Sequence, residues 1–182
     1  MSIVITGTPG VGKHTIADII SKKLNLTLLD ITQVARDSSY IEHNSGIDEI
    51  DVEKLGNFIE EKISEDNLVV GHLAPYVVSK KNVKCIIVLR RNPYDLIKVY
   101  KERRYSEKKI KQNAGSEVLG VIAYDATVKF QEKAIQLDVS KKTIKEVADE
   151  VVKIILEEKI TDDVDWLERV TKNNDLKKFF DD

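Results

Sequence analysis

The stretch Ser2-Ile3-Val4-Ile5-Thr6 runs without a break into Gly7-Thr8-Pro9-Gly10-Val11-Gly12-Lys13, and then into Ile16, Ile19, Ile20 and Leu24 at helical spacing. Strand, glycine loop and amphipathic helix in that order constrain the fold more than any other part of the 182 residues. Glycines at 7, 10 and 12 let backbone amides turn inward in conformations that a Cβ would obstruct. The helix that follows adds the positive end of its dipole, so the loop reads as a cradle for phosphate. Lys13 can then reach the β and γ phosphates of a bound nucleotide and stabilise the charge that spreads over a transferred phosphoryl group.

Gly10, Val11, Gly12, Lys13, His14 and Thr15 are therefore the expected ATP-binding residues. The usual pattern has serine or threonine directly after the lysine. Here His14 stands there and the hydroxyl comes one place later, at Thr15. His14 is read as contributing its backbone amide rather than its ring.

Further apolar runs of strand length recur at 26–29, 68–70, 85–89 and 135–139, with helix-period stretches between them. This alternation predicts an α/β fold of three layers, with a central parallel sheet of five strands covered by helices. Val52, Leu55, Ile59 and Ile63 follow Asp51 at steps of three and four. Ile144, Val147, Val151, Ile154 and Ile155 do the same after Ser140. Pro93 opens a helix to about Lys101, and another begins at Ser106. No composition break divides the chain, so 1–182 reads as one domain, ending in a C-terminal helix or tail over 161–182. A pI near 6.0 argues against a face that grips nucleic acid directly. There is no apolar run of membrane-spanning length and the chain starts in a strand, so a cytoplasmic protein is expected. The lone Cys85 can form neither an internal disulfide nor a cysteine-based metal site.

Four blocks carry a resemblance: ITGTPGVGKHT at 5–15, VAR at 34–36, GHL at 71–73 and RRYSEKKI at 103–110. In this order and spacing the chain resembles the isoenzyme 6 group of adenylate kinases, small ATPases of archaea and eukaryotic nuclei linked to ribosome assembly. The likeness covers most of Ser2 to Glu157. Lysine, another residue, then threonine at the end of the loop is the adenylate-kinase habit, which implies that Thr15 meets Mg2+ through water.

The resemblance implies a P-loop NTPase fold of the nucleoside-monophosphate-kinase type. A flap over 30–53 would place Arg36 on the AMP phosphate. A short lid over 102–112 would bring Arg103 to ATP, with Arg104 or Arg90 joining on closure. That lid has no cysteines and so excludes zinc. Lys13, Arg36 and Arg103 would be catalytic, moving the γ-phosphoryl group of ATP to AMP with Mg2+, alongside ATPase activity. Lys108, Lys109 and Lys111 read as an exposed face. The family's strand-end carboxylate before the histidine is replaced by Val70, which leaves Asp30 as the substitute near the hydrated metal. His72 would orient a water or couple the site to a partner.

The alternative implied by the resemblance is a ribosome-assembly ATPase that binds a small-subunit ribosomal protein and, through it, rRNA. The acidic run Asp162, Asp163, Asp165 and Glu168 would meet such a basic partner. Deleting 161–182 is then expected to weaken partner binding and spare phosphotransfer. A kinase of an alcohol ranks last, because neither the third strand nor its exit offers a carboxylate base.

Overall fold

The computed structural model describes residues 1–37, 41–44, 47–156 and 161–180. Its centre is β1 (Ser2–Thr6), buried along its whole length. On one side β1 pairs in parallel with β5 (Asn67–Val70), which pairs with β2 (Thr27–Asp30). On the other it pairs with β6 (Val83–Arg90), which pairs with β7 (Ala134–Asp138). The sheet is thus five-stranded and parallel, in the order β2-β5-β1-β6-β7. Each strand matches one of the predicted runs; the inner strands β5, β1 and β6 are apolar at nearly every position because both faces are covered, while the edge strand β7 alternates.

The period of two sorts those side chains into two cores. Ile3, Ile5, Leu68, Val70, Ile87 and Leu89 face one cluster; Val4, Val69, Ile86 and Val88 face the other. The first cluster is closed by α1 (Lys13–Leu24), α5 (Pro93–Glu102), α6 (Glu107–Leu119) and α8 (Ile144–Ile155). The second is closed by α2 (Ile31–Asp37), α3 (Val52–Lys62), the single turn α4 (Ala74–Val77) and α7 (Val121–Phe130). Burying one such isoleucine or leucine contributes about 1.5–3 kcal/mol. Cys85 belongs to the first cluster, and burial pushes its thiol up to about 11.

Helix ends follow local chemistry. Asp51, Asn92 and Ser106 cap α3, α5 and α6 with their side chains, as their positions before periodic runs suggest. The helix expected after Ser140 starts later, at Ile144, with Thr143 and Glu146 forming a capping box. Ser140 is occupied elsewhere: it donates to Asp138 and accepts from the Asn92 amide at 2.7 Å. Gly120, at φ 64°, breaks the long helix expected from Ser106 into α6 and α7.

Within 30–53 the chain forms α2 and a two-stranded antiparallel hairpin, β3 (Ile41–Asn44) and β4 (Ile47–Ile50). Residues 38–40 and 45–46 of that interval lie outside the described residues. The hairpin has no signature in the sequence, since neither Ile-Glu-His-Asn nor Ile-Asp-Glu-Ile alternates polar and apolar residues.

The stretch 161–180 packs on the core through α9 (Trp166–Lys172) and a turn at Leu176–Lys178. Trp166, Val170 and Phe179 are all buried, and the Phe179 ring meets Tyr94 edge-on at 5.2 Å. Two carboxylates of the acidic run are used internally. Asp162 accepts from the Asp138 amide at 2.7 Å, and Asp165 caps α9 by accepting from the Glu168 amide at 2.8 Å.

Candidate active site

In a parallel sheet whose connections diverge from a central strand, ligands collect at the carboxyl ends of the strands. The loop 7–12 leaves β1 at that edge. Gly7, Gly10 and Gly12 all adopt positive φ. At Gly10 a Cβ would lie 2.9 Å from the Tyr100 ring, so only glycine lets the loop settle onto α5. At Gly12 a Cβ would meet nothing within 4 Å; glycine serves the backbone angle of 102° there and leaves the space above the loop open. Gly12 begins α1 with no side-chain cap, so the first amides of that helix are available to an anion.

A cavity of about 630 Å³ lies over this loop. Gly10, Gly12, Lys13, His14 and Thr15 form one wall, while Thr32, Arg36, His72 and Tyr76 approach from the other half. Arg103 stands beside it, with Tyr105 and Lys109. Arg36 comes from α2, His72 from the turn after β5, and Arg103 from the end of α5, so three separate connections converge on Lys13. A second hollow of about 390 Å³ shares Gly10, Gly12, Thr15 and Arg103 with the first and continues to Val11, Val139 and Ser140.

The electrostatics follow from burial. Lys13 is 4% exposed and donates to the Thr8 carbonyl across a long 3.5 Å. Burial and the nearby Arg103 charge push its ammonium down to about 8, against the pull of Asp30 and Glu117. His72 is pushed down to about 4 by burial, then by Lys13 and His14, so its imidazole is neutral at pH 7. Asp30, at the end of β2, sits 3.1 Å from the His14 ring and accepts from the Thr32 amide at 2.8 Å. Burial acts to raise the Asp30 carboxyl, but the His14 ring and the amides of Gln33 and Thr32 outweigh it and hold it below its ordinary value.

One reading of the sequence is corrected. Arg90 does not reach the cavity: it is 3% exposed, and its nitrogens donate to Glu117 Oε1 at 2.9 Å, the Glu117 carbonyl at 3.0 Å and Gln136 at 2.6 Å. Its neighbour Arg91 faces the phosphate loop instead, donating to the Gly10 carbonyl at 3.4 Å. Lys109 is exposed, as read, and also lines the cavity, with its ammonium 4.5 Å above the Tyr105 ring.

Of the interval 102–112, only 103–106 is a tight corner between α5 and α6, with Arg104 at φ 56°; 107–112 already belongs to α6. Arg103 is the residue that this corner points to the cavity. Tyr105, which stacks on Tyr100 at 5.6 Å, anchors it. Asn113 and Ser116, further along α6, also line the cavity and had no signal in the sequence. A helical period marks the buried face of α6 but cannot say which polar neighbours look into a ligand site.

The sheet order, the loop and the convergent cations define a P-loop NTPase fold of the kinase type. Residues 3–120 match the family model described as AAA domain. A protein of Saccharolobus islandicus named "Putative adenylate kinase" is 31% identical over 170 residues, covering 92% of this chain and 88% of that one. One of the same name from Methanocaldococcus jannaschii is 33% identical over 175 residues, covering 93% and 94%. Among solved structures, shikimate kinase from Bacteroides thetaiotaomicron superposes with a TM-score of 0.60 at 15% identity, over 86% of this chain and 98% of that one. That last likeness is one of fold. The chain belongs to the family of the archaeal relatives named "Putative adenylate kinase". Among the described residues no helix is long and apolar enough to cross a membrane.

Proposed function

We propose that this chain is a nucleoside-monophosphate kinase that moves the γ-phosphoryl group of ATP to AMP, giving two ADP. The observation that carries the reading is one cavity in which Lys13 and Thr15 on the phosphate loop face Arg36, His72 and Arg103 from three other connections. ATP lies with its phosphates on the loop and its base toward Val139 and Ser140 in the second hollow. AMP enters between α2 and His72, its phosphate gripped by the Arg36 guanidinium, which can hold two oxygens at once. An oxygen of that phosphate attacks the γ phosphorus in line, and the bond from γ phosphorus to the β-phosphate bridging oxygen breaks. Lys13 and Arg103 neutralise the charge that spreads over the transferred group. A phosphate nucleophile is already ionised, so no general base is required, which accords with the neutral, weakly basic His72. His72 can donate one ring N–H to the acceptor phosphate.

Among the described residues no three His, Cys, Asp or Glu side chains form a cage for a metal. That donor set suits a magnesium ion that arrives on the nucleotide and keeps most of its waters. Thr15 and Asp30 would hold it through water, and the ion would supply positive charge to the β and γ phosphates. Asp30 takes the place of the carboxylate that Val70 lacks. The ribosomal-partner reading rests on the resemblance alone, and Asp162 and Asp165 of its acidic run already serve the fold.

The test is ADP formation from Mg-ATP with AMP and with each other monophosphate in turn. AMP is expected to be the best acceptor, and chelating the magnesium to stop the reaction. Arg36→Ala removes a charged contact to phosphate, about 1.5–3 kcal/mol, so the AMP KM is expected to rise roughly 10- to 100-fold while the ATP KM stays put. If AMP adds nothing to ADP formation over ATP alone, or if Arg36→Ala accepts AMP like the wild type, the reading is wrong.

A further inference from the structure

Three consecutive residues of the phosphate loop are held from behind by side chains of the β6–α6 half. Thr8 Oγ1 donates to Glu117 Oε2 at 2.5 Å, the Tyr100 hydroxyl donates to the Pro9 carbonyl, and Arg91 donates to the Gly10 carbonyl. Of the three, the Glu117 contact is the most elaborately supported. Glu117 is 1% exposed on α6, and its Oε1 accepts from Arg90 Nε at 2.9 Å, the Arg91 amide at 3.1 Å and Trp166 Nε1 at 3.2 Å. Burial pushes its carboxyl up, against the pull of Arg90, Thr8 and the Arg91 amide.

Net stability alone is a poor reason for this group. A buried ion pair contributes little over well-packed apolar residues of the same volume. Its geometry gives a better one. Thr8 is the residue whose carbonyl accepts from Lys13, so a carboxylate that fixes Thr8 also sets where the Lys13 ammonium sits. Glu117 lines neither of the two hollows, so it acts on a ligand through the loop and not by touch. The fourth donor, Trp166, is the first residue of α9 and lies on the far side of Glu117, beside Leu119, Asp165 and Leu167.

We propose that Glu117 is a positioning residue for the phosphate loop, and that Trp166, bonded to the same carboxylate, couples the C-terminal helix α9 to the nucleotide site. The coupling rests on the ATP-binding reading above, and linkage makes it reciprocal: an event that shifts α9 alters nucleotide affinity, and nucleotide binding alters the surroundings of Trp166.

Trp166 is the single tryptophan of the chain, so its emission reports this residue alone. Mg-ATP titrated into the full chain is expected to shift that emission saturably, with calorimetry recording binding in parallel. Thr8→Val, which cuts the link at the loop, is expected to abolish the shift, and Thr8→Ser to keep it. Trp166→Phe keeps the packing but loses the donor; kcat is expected to fall roughly three- to tenfold, less than a lost hydrogen bond to a charged group would cost directly, because Trp166 acts on the loop only through Glu117. Combining it with Thr8→Val is expected to add nothing to the loss seen with Thr8→Val alone. Binding by calorimetry with no movement of the emission overturns the coupling, as does a double variant whose losses simply multiply. If the wild type shows no calorimetric binding of ATP, the kinase reading fails first and the coupling falls with it.

Discussion

Replacing Lys13 with methionine is expected to abolish phosphoryl transfer and, in the same variant, to raise the melting temperature of the nucleotide-free protein at pH 7. The ammonium is buried, reaches the Thr8 carbonyl only across a long 3.5 Å, and is pushed down to about 8, first by desolvation and then by Arg103. A lysine whose folded pKa lies below its unfolded value gives the unfolded chain more protons between the two values. Stability therefore rises with pH across roughly pH 8 to 10.5 and carries the full cost of the buried charge below pH 8. The shift corresponds to a cost of up to about 3 kcal/mol. Methionine keeps the apolar stem and removes the charge, so the gain over wild type should be largest at neutral pH and shrink as pH climbs past 8. Activity goes the other way, because loss of a preorganised cation at the transferring phosphate removes roughly a hundred- to a thousandfold or more in kcat. Thermal melts at several pH values beside an ADP-formation assay decide it. A variant that melts below the wild type at pH 7 would mean that Asp30 and Glu117 stabilise the charge more than burial penalises it.

Deleting 161–182 is expected to unfold the protein or nearly so, and to take ATP turnover with it. The sequence alone suggested that phosphotransfer would survive. The packing points elsewhere: Trp166, Val170 and Phe179 are core side chains, with Phe179 1% exposed against Tyr94 and the α6 face. Phe179→Ala in the full chain costs about 3–5 kcal/mol on general grounds. Removing all three anchors reaches the whole marginal stability of a domain, about 5–15 kcal/mol. The loss would also strip Glu117 of its Trp166 donor and open the back of the phosphate loop to water. Circular-dichroism melts of the truncated chain and of Phe179→Ala, with ATP turnover measured on each, test this. A cooperative melt and wild-type turnover in the truncated chain would make the segment dispensable.

Much of the site was legible because its signals are local. Gly7 to Thr15 occupy one strand, one turn and the start of one helix, where backbone angle and helix dipole act within a few residues. The inner strands β5, β1 and β6 showed themselves because burial on both faces demands nearly unbroken apolar runs, and the edge strands β2 and β7 by shorter or alternating ones. Arg36 and Arg103 were singled out by the resemblance that the VAR and RRYSEKKI blocks carry, and both line the cavity. What failed was of another kind. Arg90 and Arg91 are adjacent arginines leaving the end of β6, and nothing local says which one turns to Glu117 and which to the loop.

Glu117 lies 109 residues from Thr8 and 49 from Trp166, on a helix whose sequence shows only an ordinary amphipathic period. Its partners are chosen by how α6, α9 and the loop meet in space. The sequence by itself therefore determined the sheet and the phosphate loop, because strand burial, glycine conformation and helix capping are settled by neighbours along the chain. Only the tertiary structure decided which arginine serves the site, that the C-terminal helix belongs to the core, and that a buried carboxylate ties that helix to the loop. Those outcomes depend on desolvation and on donors converging from elements that the chain brings together only when it folds.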